Sequence, residues 1–264
     1  MITPPDRPSP IDMTIIQDFA GRTALVTGAA SGIGAACARA LAERGAARLF
    51  LVDVDSPGLD ALDLPGEVHR ITGSVADEAL WQTLEPRLSG LDHAVVNAGI
   101  GSGGPISSIS LAEWRRVMAV NLDGAFMTLA SSLRAMTGKS GSVVVVASTT
   151  GIKPVPGIGP YGVSKAAVAH MARIAAVENA RKGIRVNAIA PGGVDTAIWE
   201  GGADFQASVA AIGREATLKA MAKTTPLGRF ASSEEMADSI LYLLSDAAAN
   251  ITGHVMVSDG GFTL

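Results

Sequence analysis

The chain has 264 residues, 48% of them apolar and 17% charged, with 30 glycines and a net charge of −4. That length suits one or two domains; the apolar content excludes a disordered chain, and the low charge excludes a coiled coil. No basic excess exists to neutralise a nucleic-acid backbone. A single cysteine, Cys37, excludes an internal disulfide and a cysteine-based zinc site, and suits a reducing, cytoplasmic setting. Four scattered histidines, His69, His93, His170 and His254, make no His-x3-His pair, so no metal site is expected. The purest apolar run, residues 143–147, is far short of the roughly 20 residues of a membrane span. Residues 1–18 open with four prolines in the first ten positions and no apolar stretch, and read as a flexible leader rather than a signal peptide.

From there the chain alternates between short apolar runs and helical patterns. Strands are expected over 23–26, 48–53, 69–71 (weak), 92–97, 142–147, 184–190 and 254–257. Helices are expected over about 32–44, 77–88, 111–136, 161–181 and 234–244. The strand runs are continuously apolar rather than alternating, as in Val143 to Val146, which marks strands covered on both faces. Strand and helix in alternation predict a single α/β domain over 19–264, a Rossmann-like doubly wound parallel sheet of about seven strands with helices on both faces. The stretch from Asp53 to Ser74 carries Pro57, Gly58, Pro65 and Gly66, so the helix between the second and third strands is expected to be short or missing. Ser110-x-x-Glu113 and Ser232-x-x-Glu235 read as capping boxes, which gives Glu113, Glu234 and Glu235 structural roles.

Between the first strand and first helix stands Thr27-Gly28-Ala29-Ala30-Ser31-Gly32-Ile33-Gly34. Gly28 suits a sharp turn off the strand, and Gly32 and Gly34 remove Cβ atoms where a pyrophosphate or a neighbouring strand approaches the backbone. The helix that starts here aims its free N–H groups and positive dipole end at such a phosphate. Further on come Asn97-Ala98-Gly99 after the fourth strand, Ser148 followed thirteen residues later by Tyr161-x3-Lys165, and Asn121 in the preceding long helix. Pro191-Gly192-x3-Thr196, Pro226-Leu227-Gly228-Arg229, Thr252-Gly253 and Asp259-Gly260-Gly261 complete the series. Taken in order over residues 19–262, these motifs resemble the short-chain dehydrogenase/reductase family.

The resemblance implies a nicotinamide dinucleotide lying along Gly28, Ser31, Gly32, Ile33 and Gly34, then Ser74, Val75, Asn97, Ala98 and Gly99, and reaching Pro191, Gly192, Val194 and Thr196. Asp53, at the end of the second strand, is placed to accept hydrogen bonds from the adenosine ribose hydroxyls and to repel a 2′-phosphate, which selects NAD. Ser74-Val75 departs from the Asp-Val pair usual in the family, and weakens the expected adenine contact.

Tyr161 and Lys165 are four apart and share a helix face. A phenol near pKa 10 is a poor base at neutral pH, and a lysine ammonium one turn away is expected to lower it. Tyr161 then serves as general acid or base, and Ser148 holds the substrate oxygen. By resemblance, Lys165 also binds the nicotinamide ribose, and Asn121 holds a water linking Lys165 to solvent. The implied reaction interconverts a secondary alcohol and a ketone, in the oxidising direction because cellular NAD pools are largely oxidised.

Residues 195–225 are expected to form a lid hinged at Gly201-Gly202. Its apolar set, Ile198, Trp199, Phe205, Ile212 and Met221, points to an alicyclic or aromatic alcohol; Glu200, Asp204, Arg214 and Lys219 are its charged members. Loops 100–106 and 149–158 complete the pocket. The partners expected are a small-molecule substrate and, from the family, three further copies in a homotetramer. Two alternatives stand beside this reading: a 3-oxoacyl carrier-protein reductase, and a catalytically silent dinucleotide-binding redox sensor.

Overall fold

The computed structural model describes residues 17–264. Seven strands, β1 (Thr23–Thr27), β2 (Arg48–Asp53), β3 (Glu67–Thr72), β4 (His93–Val96), β5 (Gly141–Val146), β6 (Ile184–Pro191) and β7 (Val255–Ser258), form one parallel sheet in the order β3-β2-β1-β4-β5-β6-β7. The helices are α1 (Gly32–Glu43), α2 (Ser56–Asp60), α3 (Glu78–Leu84), α4 (Leu111–Met118), α5 (Ala125–Ala135), α6 (Gly159–Asn179), α7 (Ala203–Ile212), α8 (Arg214–Ala222) and α9 (Ser233–Leu244). The strand order reverses between β1 and β4, and an open α/β sheet places its ligand crevice at such a reversal.

The continuous apolar runs are used two ways at once. Val26, Leu49, Leu51, Val95, Val144, Val146 and Ile189 pack on one face under α1 and α9. Their neighbours Leu25, Phe50, Val52, Ala94, Val96, Val143, Val145, Val186 and Ala188 pack on the other under α3, α5 and α6. Successive strand side chains point to opposite faces, so a strand covered on both must be apolar at every position. β3 lies at the edge and is only partly covered, which is why its sequence signal is weak.

Several expectations change in detail. The expected leader over 1–18 falls mostly outside the described residues, but Asp18 pairs with Arg44 and Gln17 donates to the Glu43 carbonyl at 3.2 Å, so those two belong to the domain. The connection from β2 to β3 keeps only the five-residue α2, capped by Asp55. The helix expected over 111–136 is not continuous: a π-helical turn, Ala119–Gly124, separates α4 from α5. There the wider turn seats Gly124 against Val75, where a Cβ would come 2.6 Å from the valine side chain. Only one capping box is complete, at Ser232 and Glu235. Ser110 accepts from the Glu113 N–H at 3.1 Å, but the Glu113 carboxylate turns away, to Ser102 at 2.8 Å and Arg116 at 2.7 Å. The stronger charge-assisted bonds to Arg116 win over the backbone.

Candidate active site

The expected site residues gather at the carboxyl ends of the strands. Gly28 turns off β1 with φ +66°, and its N–H donates to the Val52 carbonyl at 2.8 Å. A Cβ on Gly28 would come 2.9 Å from the Ala98 backbone, and one on Gly34 would run into the Gly28 carbonyl. The two glycines therefore let the turn, the start of α1 and the loop after β4 nest together. Asn97 staples this arrangement: its Nδ2 donates to the Thr27 and Gly28 carbonyls at 2.9 and 3.1 Å. The Thr27 hydroxyl accepts from the Asn97 and Ala98 N–H groups. Gly32, with φ +51°, faces Thr196, whose methyl would lie 3.0 Å from a Cβ. The glycine turn and the segment after β6 thus face each other across the crevice. Ser31 caps α1 through its backbone alone, and Ile33 in the first turn packs on the core. The first turn of α1 carries no acidic residue, so its exposed N–H groups suit an anion.

Asp53 closes the far end of this groove. One carboxylate oxygen accepts from the Ala30 N–H at 2.9 Å, the other from the Asp55 N–H at 3.0 Å. It orders the glycine turn and still has lone pairs for a diol. The Ser74 hydroxyl accepts from the Ala76 N–H in its own turn, at 3.2 Å, and Val75 is buried beside it. Pro191 is buried, Gly192 packs against Asp259, where a Cβ would come 2.8 Å away, and the Val194 carbonyl accepts from the Trp199 indole at 2.7 Å. Asp259 accepts from the Gly261 and Thr263 backbone, so it closes the terminal turn as a structural residue.

The four expected catalytic residues come from three elements. Asn121 lies in the π-helical turn, Ser148 caps a short 3-10 turn (Thr149–Gly151), and Tyr161 and Lys165 occupy the first turns of α6. A Cβ on Gly99 would sit 3.3 Å from the Lys165 Nζ and 3.4 Å from the Asn121 Oδ1, so both side chains reach the space beside that glycine. The Lys165 Nζ donates to the Val146 carbonyl at 2.8 Å. Asn121, fully buried, accepts from the Ile100 N–H at 2.8 Å and donates to the Ile100 carbonyl and the Ser164 hydroxyl. Its side chain is thus engaged in bracing the loop after β4.

The electrostatics differ from the expectation. Burial raises the Tyr161 phenol above its ordinary value, and the hydrogen bond with Ser148 offsets only part of that. Burial lowers the Lys165 ammonium to about 8. Lys165 does not depress Tyr161 by itself: its Nζ lies 5.7 Å from the ring centroid, and the ammonium is itself buried. A depressed phenol therefore needs positive charge beyond what the chain provides.

Comparison with known proteins agrees with this geometry. The family model described as Enoyl-(Acyl carrier protein) reductase matches residues 28–263. The chain is 41% identical to the cis-4-hydroxycyclohexanecarboxylate dehydrogenase of Sinomonas cyclohexanicum, over 94% of this chain and 98% of that protein. It is 35% identical to the 2,5-dichloro-2,5-cyclohexadiene-1,4-diol dehydrogenase of Sphingobium indicum, over 94% and 99%. The crystal structure of levodione reductase superposes with a TM-score of 0.82 at 35% identity, covering 92% of this chain and 98% of that one. The chain belongs to the short-chain dehydrogenase/reductase family. It is an oxidoreductase acting on CH–OH groups, and dehydrogenases of this family use nicotinamide cofactors.

Within this short-chain dehydrogenase the segment over 195–225 is a 3-10 turn (Ala197–Gly201) followed by α7 and α8. Its break is Gly213, with φ +82°, between α7 and α8; Gly202, half of the expected hinge, instead caps α7. The apolar set is partly spent on the segment's own packing. Trp199 stacks on Phe230 at 5.6 Å and near Phe205 at 6.4 Å, and Phe205 is buried. Ile212 is exposed, while Ile198 touches the opposite loop at Gly101, where a Cβ would come 3.0 Å from its carbonyl. Arg214 ties the segment together by pairing with Asp195 and Glu200 at 2.6 and 3.1 Å. A cavity of 220 Å³ lined by Ile106, Ile109, Ser110, Leu111, Trp114 and Pro160 lies beside the start of α6. The sequence reading did not single out Thr149, whose hydroxyl joins the turn after Ser148 to the Pro191 carbonyl at 3.1 Å, or Thr150, which bonds Ser148. The run Ser148-Thr149-Thr150 is itself a signal, because hydroxyl side chains bond backbone two residues on. Among the described residues no cluster suits a metal ion, and no helix is long and apolar enough to cross a membrane.

Proposed function

We propose that this enzyme oxidises an alicyclic secondary alcohol with NAD in the cytoplasm, as a single domain over 19–264 whose lid is the segment 195–225. The observation that carries the reading is the placing of Ser148, Tyr161, Lys165 and Asn121 at one end of the sheet, with Lys165 and Asn121 both beside Gly99, next to the groove that the glycine turn forms. A nicotinamide dinucleotide in that groove supplies the acceptor for the hydride that leaves the alcohol carbon. Ser148 donates a hydrogen bond to the substrate oxygen and holds its carbon in line. Tyr161 takes the hydroxyl proton as the C–O bond gains double-bond character. The Lys165 ammonium passes the proton on toward the surface past Asn121, and the positive charge of an oxidised nicotinamide beside it would favour the phenolate form. Asp53 supports NAD over NADP, because its carboxylate would face a 2′-phosphate with like charge. The relatives named for cyclohexane and cyclohexadiene substrates, and the apolar residues flanking the site, support a ring alcohol.

The matched family description favours one rival, a reductase of acyl groups on a carrier protein. Cyclohexanols, cyclohexanediols and open-chain secondary alcohols tested with NAD, followed at 340 nm, address the proposal. Turnover of ring alcohols above open-chain ones supports it. Turnover only of 3-oxoacyl thioesters with NADPH supports the rival, and no turnover of any alcohol would leave a silent dinucleotide binder.

A further inference from the structure

A serine hydroxyl has one proton to give and two lone pairs to receive with. Left alone it rotates, and a catalytic serine that must donate to a substrate oxygen spends part of its time facing elsewhere. Here both acceptor positions of Ser148 are occupied from one residue. The Thr150 N–H donates to Ser148 Oγ at 3.2 Å, and the Thr150 hydroxyl donates to it at 3.0 Å. The turn that carries Thr150 has little freedom to move. The Thr149 hydroxyl is tied to the Pro191 carbonyl, and the Gly151 N–H donates to the Ser148 carbonyl at 3.0 Å. A Cβ on Gly151 would lie 2.6 Å from the Ala166 nitrogen, and one on Gly162 would lie 3.1 Å from the Thr150 carbonyl, so the turn is seated against the first turns of α6, just after Tyr161.

We propose that Thr150 is a positioning residue that fills the lone pairs of Ser148 and so commits the serine proton to the Tyr161 hydroxyl and the substrate oxygen. This rests on the reading of Ser148 and Tyr161 as the catalytic pair. Filling the lone pairs does two things. It presets the donor, so no rotor has to be frozen when substrate binds. It also stops Ser148 from accepting the phenol proton, an arrangement that would hold Tyr161 in its neutral form and oppose oxidation.

The test uses the full-length enzyme oxidising its best ring alcohol, with Thr150→Val, Thr150→Ser and Ser148→Ala compared. Thr150→Val keeps the shape and removes the hydroxyl; kcat is expected to fall about tenfold, the effect of one hydrogen bond, with the KM for NAD changed less than about twofold. The acid limb of its kcat/KM profile moves to higher pH, because the serine is then free to accept from the phenol. Thr150→Ser restores both rate and profile. Should the valine variant fold poorly, Thr150→Ala removes the same hydroxyl and must show the same loss and the same displacement. An unmoved acid limb with at least about half the wild-type kcat in the hydroxyl-free variants, alongside an inactive Ser148→Ala, overturns the role of Thr150 while leaving Ser148 in place. An active Ser148→Ala overturns both.

Discussion

Tyr161 sits where burial works against it. A phenol raised by desolvation is protonated at neutral pH, and the oxidation we propose needs it as a base. Alcohol oxidation is therefore expected to rise with pH through the neutral and alkaline range, and ketone reduction, which needs the proton, to fall over the same range. Initial rates in both directions across pH check the sign. Tyr161→Phe keeps the ring and removes the proton carrier, so turnover is expected to fall by roughly 10²-fold or more with NAD binding nearly unchanged. Retention of most of the activity by that variant would remove Tyr161 from the chemistry. Asp53 decides the other end of the groove. Its two oxygens already hold the Ala30 and Asp55 N–H groups, so the carboxylate is fixed in direction before any ligand arrives. The wild type is expected to favour NAD over NADP by about 10²-fold in kcat/KM, about 2.7 kcal/mol. Asp53→Ala is expected to narrow that ratio at least about tenfold, with NAD weakened and NADP improved. Equal use of the two cofactors by the wild type would show that Asp53 does not face the ribose.

Among the elements, the junction of β1 and α1 depends on a missing side chain. Gly34 lies where the helix abuts the Gly28 carbonyl, a backbone atom that cannot rotate away. Gly34→Ala is expected to cost about 1–3 kcal/mol of stability, as overpacking does, and to weaken NAD binding by opening the turn; denaturant unfolding and cofactor titration read the two effects. At the opposite end of the sheet, His93 is buried on β4, with its Nδ1 2.8 Å from the Ser142 hydroxyl and its ring edge-on to Phe19. Burial lowers it to about 4, against 6.5 in the unfolded chain. The folded state therefore binds fewer protons between those values. The contribution of a neutral His93 is fully present above pH 6.5 and is lost as pH falls toward 4. The fall amounts to about 3 kcal/mol at most, discounted for whatever water reaches the ring. A His93→Gln variant should show a shallower loss of unfolding free energy between pH 6.5 and 4.5 than the wild type. Parallel curves would mean that His93 is not the group being titrated.

At the scale of the molecule, Phe126 on α5 and Val163, Ile174 and Val177 on α6 are exposed, as is Val257 on the edge strand β7. Apolar faces of this kind suit copies of the same chain meeting about two-fold axes, and a homotetramer is expected. Sedimentation at micromolar concentration tests it: a mass near that of the 26.8 kDa chain would exclude the assembly. How much of the enzyme was legible beforehand follows from the range of the forces involved. The parallel sheet, the glycine turn, Asp53 and the spacing of Ser148, Tyr161 and Lys165 are written locally, because strand burial, turn geometry and helix period each act over a few residues. What the line of residues does not carry is whatever depends on two distant segments meeting. The π-helical turn at Asn121 forms where Gly124 meets Val75 and the asparagine meets Ile100. The Glu113 carboxylate leaves its capping box because Arg116 and Ser102 lie within reach. Trp199 stacks near Phe205 and on Phe230, so part of the segment's apolar surface goes to its own packing. The protonation of Tyr161 is set by tertiary structure: helical spacing brings Lys165 near, but burial raises the phenol by more than the hydrogen bond with Ser148 lowers it.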